Sequence, residues 1–170
     1  MTQHQQPTIL ADPERMRVLA SIDFDNPALR TALDHITSRT AARTGLPISL
    51  ATLVFNTAQM TVGSTGLDDT WIAAADGTPV EWSFCANMIT TGRPYVIPDA
   101  HRSEQATNPL VTIDGIASYA GVPVTVRGQI VGAHCILGTA AHPFTPGQLS
   151  ELTTAAQEIA ALLHEFSDLS

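Results

Sequence analysis

Two cysteines and six histidines are the side chains in this 170-residue sequence best suited to chemistry near neutral pH. A thiolate can act as nucleophile, redox centre or soft metal ligand, and an imidazole as general base or as haem or metal ligand. Cys85 lies in "EWSFCANMITTG", beside Trp82 and Phe84 and ahead of a helix stop at Gly92; Cys135 follows His134 in "QIVGAHCILG". The cysteines form no C-x-x-C pair, which argues against a zinc clip or a thioredoxin-type dithiol. With no Lys beside it to lower its pKa, Cys85 reads first as a small buried residue, and second as a ligand-sensing or redox-active thiol. Strand alternation puts His134 and Cys135 on opposite faces, so they cannot ligate one metal together. Val131, Ala133 and Leu137 share the parity of Cys135 and form the more apolar set, which points His134 toward a binding pocket. Nothing in the sequence places Cys135 against Cys85. His4, His35, His101, His142 and His164 share no ligand spacing, and no metal site is expected. No G-x-S-x-G stands behind Ser83 or Ser118, and "TVGSTG" is no phosphate loop.

Composition narrows the class. All 8 basic residues are Arg, against 16 Asp and Glu, for a net charge of -8. Scattered single arginines on an acidic chain repel phosphate backbones, so no nucleic-acid partner is expected. The absence of Lys excludes a Schiff base, a phosphate-loop Lys and a Ser-Lys dyad. The N-terminus lacks a basic segment followed by an apolar one, and no run approaches the roughly 20 apolar residues of a membrane span. A reducing cytoplasmic setting without membrane contact is the expectation.

The elements that must position these residues are legible from caps and periodicity. Residues 1–8 read as a disordered tail, and 9–170 as a single domain with its core at 28–166. "DPERMRVLASI" predicts a short helix capped by Asp12 with Pro13 in its first turn. Asn26, Pro27 and the spacing of Leu29, Leu33 and Ile36 predict a second helix, ended by Gly45. Two β-rich runs follow around a turn near Asn56 to Gln59. "DDTWIAAADGTPVE" reads as a mobile loop, and Ser83 or Glu81 opens a helix ending at Gly92. "RPYVIPD" is a short strand, and "AHRSEQATNPLVTIDG" a loop with a helical turn. A hairpin turns at Arg127 and Gly128. "TPGQLSELTTAAQEIAALLHEF" predicts the last helix, with Thr145 and Gln148 at capping-box spacing and an apolar seam from Leu149 to Phe166. Ala155, Ala160, Ala161 and Leu162 widen that seam, suggesting a second contact with another helix or subunit.

The order "SFCANMITTGRPYVIPDA", "NPLV", "YAGVPVTVRGQIVGAHCIL" and "HPFTPGQLSELTTAAQEIAALL" resembles the GAF domain, a small-molecule sensing module, most of all its branch in bacterial histidine kinases and cyclic-dinucleotide enzymes. The resemblance implies an α+β fold: a twisted antiparallel sheet with the N- and C-terminal helices on one face and a ligand pocket under a helix and loops on the other. It implies a binding module, not an enzyme, that forms a homodimer through the terminal helices and signals to a partner protein. By the same resemblance, Trp82, Phe84, Cys85, Asn87, Asp99, Asn108, Tyr119 and His134 fall near the pocket. A chain without Lys cannot carry the Asn-Lys signature of the cyclic-nucleotide binders. The strand setting of His134-Cys135 gives no expectation of a covalent bilin, and haem ligation by His134 is not expected either. The ligand is unknown on this reading. One alternative is a degenerate scaffold whose pocket Tyr119 and Phe84 fill themselves. The other is a thiol-dependent reductase like the GAF-type methionine-(R)-sulfoxide reductases; the loop that should hold the attacking cysteine reads "ATNPLVTIDG" here.

Overall fold

Residues 9–67 and 77–168 are described by the computed structural model. Six mutually antiparallel strands form one sheet in the order β3-β2-β1-β6-β5-β4. They are β1 (Ile48–Val54), β2 (Ala58–Thr65), β3 (Gly77–Pro79), β4 (Tyr95–Ile97), β5 (Ser118–Val126) and β6 (Gln129–Gly138). Helices α1 (Pro13–Ser21), α2 (Pro27–Thr44) and α5 (Pro146–Glu165) cover one face; α3 (Ala86–Thr91), α4 (Pro109–Thr112) and two 3-10 turns cover the other. The architecture is therefore the α+β arrangement expected from the sequence.

Each helix of the first layer starts and stops for a local reason. Asp12 accepts from the Arg15 amide at 3.0 Å, and Asn26 from the Ala28 amide at 2.9 Å, each ahead of a first-turn proline. Gly45, at φ 82°, ends α2 in the left-handed region that costs a glycine little. Thr145 and Gln148 close a reciprocal capping box on α5. Leu29, Leu33 and Ile36 of α2 and Leu152, Ile159 and Leu163 of α5 are buried on the sheet, each contributing roughly 1.5–3 kcal/mol of apolar burial. The two helices are also joined by Arg39–Glu158 and Arg43–Glu151 ion pairs at 2.5 and 3.2 Å. Such exposed pairs add about 0–1 kcal/mol each.

The widened seam of α5 is used within the chain. Ala155 is buried, Ala160 and Leu162 pack on the same core, and Ala161 alone of that set faces outward. The ends of the two terminal helices meet: the Asp23 amide donates to the Phe166 carbonyl at 2.9 Å, and the Asp168 amide to the Ser21 carbonyl at 3.0 Å. The β5–β6 hairpin turns at Arg127 (φ 52°) and Gly128 (φ 80°), as the sequence predicts. The mobile loop expected from "DDTWIAAADGTPVE" falls mostly outside the described residues, but its end pairs with β2 as strand β3.

A second feature of α1 has no signal in the pattern of caps. Arg15 is only 3% exposed, and its guanidinium donates to the carbonyls of Leu10 (2.7 Å), Val54 (2.7 Å) and Ile130 (3.2 Å). It thereby fastens the N-terminal segment to the ends of β1 and β6. Burial lowers its pKa, offset by Asp12.

Candidate functional site

The sheet presents two apolar faces, and the side chains of β6 divide between them. Ala133, Cys135 and Leu137 face α3, whereas His134 and Ile136 face the helix layer. His134 is fully buried, with Nε2 2.9 Å from the Thr40 hydroxyl of α2 and Nδ1 2.9 Å from the Leu50 carbonyl. The expectation that His134 faces a pocket is thus reversed, although the two neighbours do lie on opposite faces. Hydrophobicity misled for a physical reason: both faces are covered, so both must be apolar. In addition, a bulge at Val131, between the Val124–Gly132 and Thr125–Ile130 pairs, turns Val131 to the helix side and breaks the parity it seemed to share with Cys135.

Burial depresses the His134 pKa to about 4, with a backbone hydrogen bond to Leu50 opposing it. Arg39 lowers it further, and Glu151 and Glu158 raise it. The imidazole is neutral and structural at neutral pH, with both ring nitrogens engaged inside the chain.

On the opposite face Cys85, Cys135 and Tyr119 converge. Gly121 stands opposite Cys135 in the β5–β6 ladder, and the phenol of Tyr119 lies across Gly121, where a Cβ would collide with its hydroxyl. The Tyr119 hydroxyl is 3.2 Å from Cys85 Sγ, at the entrance to α3. Both thiols are free and buried in the apolar cluster to which Tyr119 belongs. The Cys135 thiol, then the hydroxyls of Thr52 and Tyr119, hold the Cys85 thiol below its ordinary range against the opposing effect of burial. Burial and the neighbouring Cys85 push Cys135 well up, and burial does the same to Tyr119. The structure therefore brings into one buried cluster with Cys85 the very cysteine that sequence spacing left unpaired with it.

The remaining predicted residues separate into supports and rim. Phe84 packs edge-on against Tyr119, with centroids 4.9 Å apart at 78°, and Tyr95 tilts against the same ring at 6.0 Å. Asn108 caps α4 by accepting from the Leu110 amide at 2.9 Å and donates to the Trp82 carbonyl at 3.0 Å, so it positions the segment leading to Cys85. Half-buried Trp82 packs on the same cluster, and Asn87 is half-buried on α3. Asp99 caps a 3-10 turn, accepting from the His101 amide at 3.2 Å, and pairs with Arg102 at 3.7 Å. It is a turn residue, as its position after Pro98 allows. Met88, fully buried, lies with Phe84 and Tyr119 between α3 and the sheet, so side chains occupy this space. Cavities of about 330 and 360 Å³ open elsewhere, the first between α5 and β5 beside Pro123 and Gln157, the second beside Arg15, Asp12 and Ile130. Among the described residues, no group of three or more His, Cys, Asp and Glu could hold a metal ion.

Comparison with known proteins places the arrangement. The family model described as GAF domain matches residues 28–163. The GAF domain of a Coxiella burnetii phosphoenolpyruvate-protein phosphotransferase superposes with TM-score 0.68 at 15% identity, covering 97% of this chain and 96% of that one. Its counterpart from Acinetobacter gives 0.67 at 16% identity, covering 94% and 93%. A type II free methionine-R-sulfoxide reductase from Thermoplasma acidophilum gives 0.67 at 15% identity, covering 82% and 94%. No curated protein matches the chain.

Proposed function

The chain belongs to the GAF domain family, and from that premise we propose that it is a sensory module that binds a small molecule on the α3 side of the sheet and signals through its helix layer. The observation that carries this reading is the pair of neighbours on β6. Cys135 lies in one buried cluster with Cys85 and Tyr119 on the α3 side, and His134 is bonded to Thr40 of α2 on the other. Close packing makes such a strand a stiff coupler, so a displacement of β6 by a ligand is felt at α2. Output would pass along α2 and α5, whose ion pairs and shared core make them one unit. A homodimer through these helices, and a signalling partner beyond it in the cytoplasm, complete the proposal. Binding shifts the helices only insofar as the ligand distinguishes two arrangements of them.

Native mass spectrometry of the purified chain tests the reading. A bound mass that is lost on denaturation supports it. A clean protein of full stability favours the scaffold, a second reading that the packing of Phe84, Met88 and Tyr119 against α3 supports. The presence of Cys85 and Cys135, both free, in one buried cluster keeps a thiol-dependent reductase as a third reading. Absence of turnover of free methionine-R-sulfoxide with dithiothreitol as reductant would remove it.

A further inference from the structure

We propose that Cys85 and Cys135 form a reversible intrachain disulfide when the protein meets a small hydroperoxide, so that the space under α3 is an oxidation site. The geometry comes from three independent placements. Cys85 Sγ lies 3.2 Å from the Tyr119 hydroxyl, that hydroxyl lies over Gly121, and Gly121 is the ladder partner of Cys135. Both thiols therefore border one phenol oxygen, on two elements, α3 and β6, that pack together. Neither is needed for a metal or a charge pair among the described residues.

The two thiols differ in the way a sequential oxidation requires. The neighbours of Cys85, Cys135 first and then Thr52 and Tyr119, lower its pKa and favour its thiolate, while burial raises that of Cys135, which stays protonated as the second reactant. In the first step the Cys85 sulfur attacks a peroxide oxygen; the O–O bond breaks, an S–O bond forms, and the leaving oxygen departs as water or an alcohol after taking a proton. In the second, the Cys135 sulfur attacks the sulfenic sulfur; the S–O bond breaks, the S–S bond forms, and hydroxide leaves with the Cys135 proton as water. Two thiols are oxidised by two electrons and the peroxide is reduced by two. Access comes through α3, a six-residue helix ended by an exposed Gly92 at φ 68°. Short peripheral elements of this kind open locally at far lower free energy than the whole domain. An S–S bond of about 2.05 Å is shorter than any thiol hydrogen bond, so the product draws α3 onto β6 and takes from Tyr119 its thiol partner.

This deepens the sensory reading by naming an input, and it rests on that reading only for the consequence. The full chain is reduced, exposed to hydrogen peroxide, alkylated under denaturing conditions and mapped as peptides. A Cys85–Cys135 linked peptide from monomeric chains, reversed by dithiothreitol, is expected. In Cys135→Ala, dimedone should label Cys85; in Cys85→Ala, Cys135 should stay unlabelled. Interchain disulfides, independent oxidation of the two thiols, or thiols that react only after unfolding would overturn the inference and leave the sensory reading standing. A linked peptide with unchanged hydrogen exchange in α2 and α5 would support the disulfide and count against the sensory reading.

Discussion

Two buried groups, His134 and Tyr119, carry measurable consequences at the scale of single residues. His134 has a pKa of about 4 in the folded chain against 6.5 for an ordinary histidine. Between those values the unfolded chain binds a proton that the folded chain does not. The stabilisation is therefore complete above 6.5 and is lost as pH falls toward 4, amounting to about 3 kcal/mol. Denaturant titrations across that window should show this decline, and His134→Gln should flatten it. Tyr119→Phe keeps the ring that Phe84 and Tyr95 pack against and removes only the hydroxyl on Cys85. It should cost roughly 0.5–1.5 kcal/mol and raise the pH at which Cys85 reacts with iodoacetamide. An unchanged pH profile would show that the hydroxyl does not act on the thiol.

Elements differ in how much of their attachment is local. α5 has a capping box, a first-turn proline and a continuous apolar seam, so losing one cap is tolerable. Thr145→Ala should cost about 1 kcal/mol in chemical denaturation. α1 has its Asp12 cap and buries Val18 and Leu19, but one side chain also fastens it by polar bonds, because Arg15 satisfies carbonyls from three separate segments. Arg15→Leu leaves the carbonyls of Leu10, Val54 and Ile130 without that donor, and hydrogen bonds to a charged group are worth about 1.5–3 kcal/mol each. It should destabilise the chain more than Thr145→Ala does, and raise amide exchange in α1 ahead of α5. Equal effects would mean that α1 is held by its apolar contacts alone. β6 connects the layers, and its bulge at Val131 sets which of its residues serve each one.

For the molecule as a whole, the sheet separates a thiol and aromatic layer from a layer of long helices whose ends meet at Asp23 and Phe166. Since Leu152, Ala155, Ile159 and Leu163 are spent on the chain's own core, self-association would use the more polar face of α5, including Thr154, Gln157 and Ala161. The proposed dimer should then be salt-sensitive and of modest affinity. Sedimentation at two ionic strengths checks this, and Ala161→Arg should shift the equilibrium to monomer. A monomer at every concentration would remove self-association from the proposed function. No helix among the described residues is long and apolar enough to cross a membrane.

Caps, prolines and glycine stops are local, and so the helices and hairpins were legible in the sequence: Asp12, Asn26, Gly45, Thr145 and the Arg127–Gly128 turn each act within a few residues. The order of motifs was also enough to indicate the family, and with it the layers of the fold. The face on which His134 lies was not legible, because a sheet covered on both sides has no polar face to mark, and because one bulged residue inverts the count. Nor was the meeting of Cys85 and Cys135 in one cluster, which depends on α3 packing against β6 and on Gly121 leaving room for the Tyr119 hydroxyl. The sequence determined the elements and their order through short-range chemistry. Only the tertiary structure decided which side chains meet across the sheet, because that depends on strand register and on the space a missing Cβ leaves open.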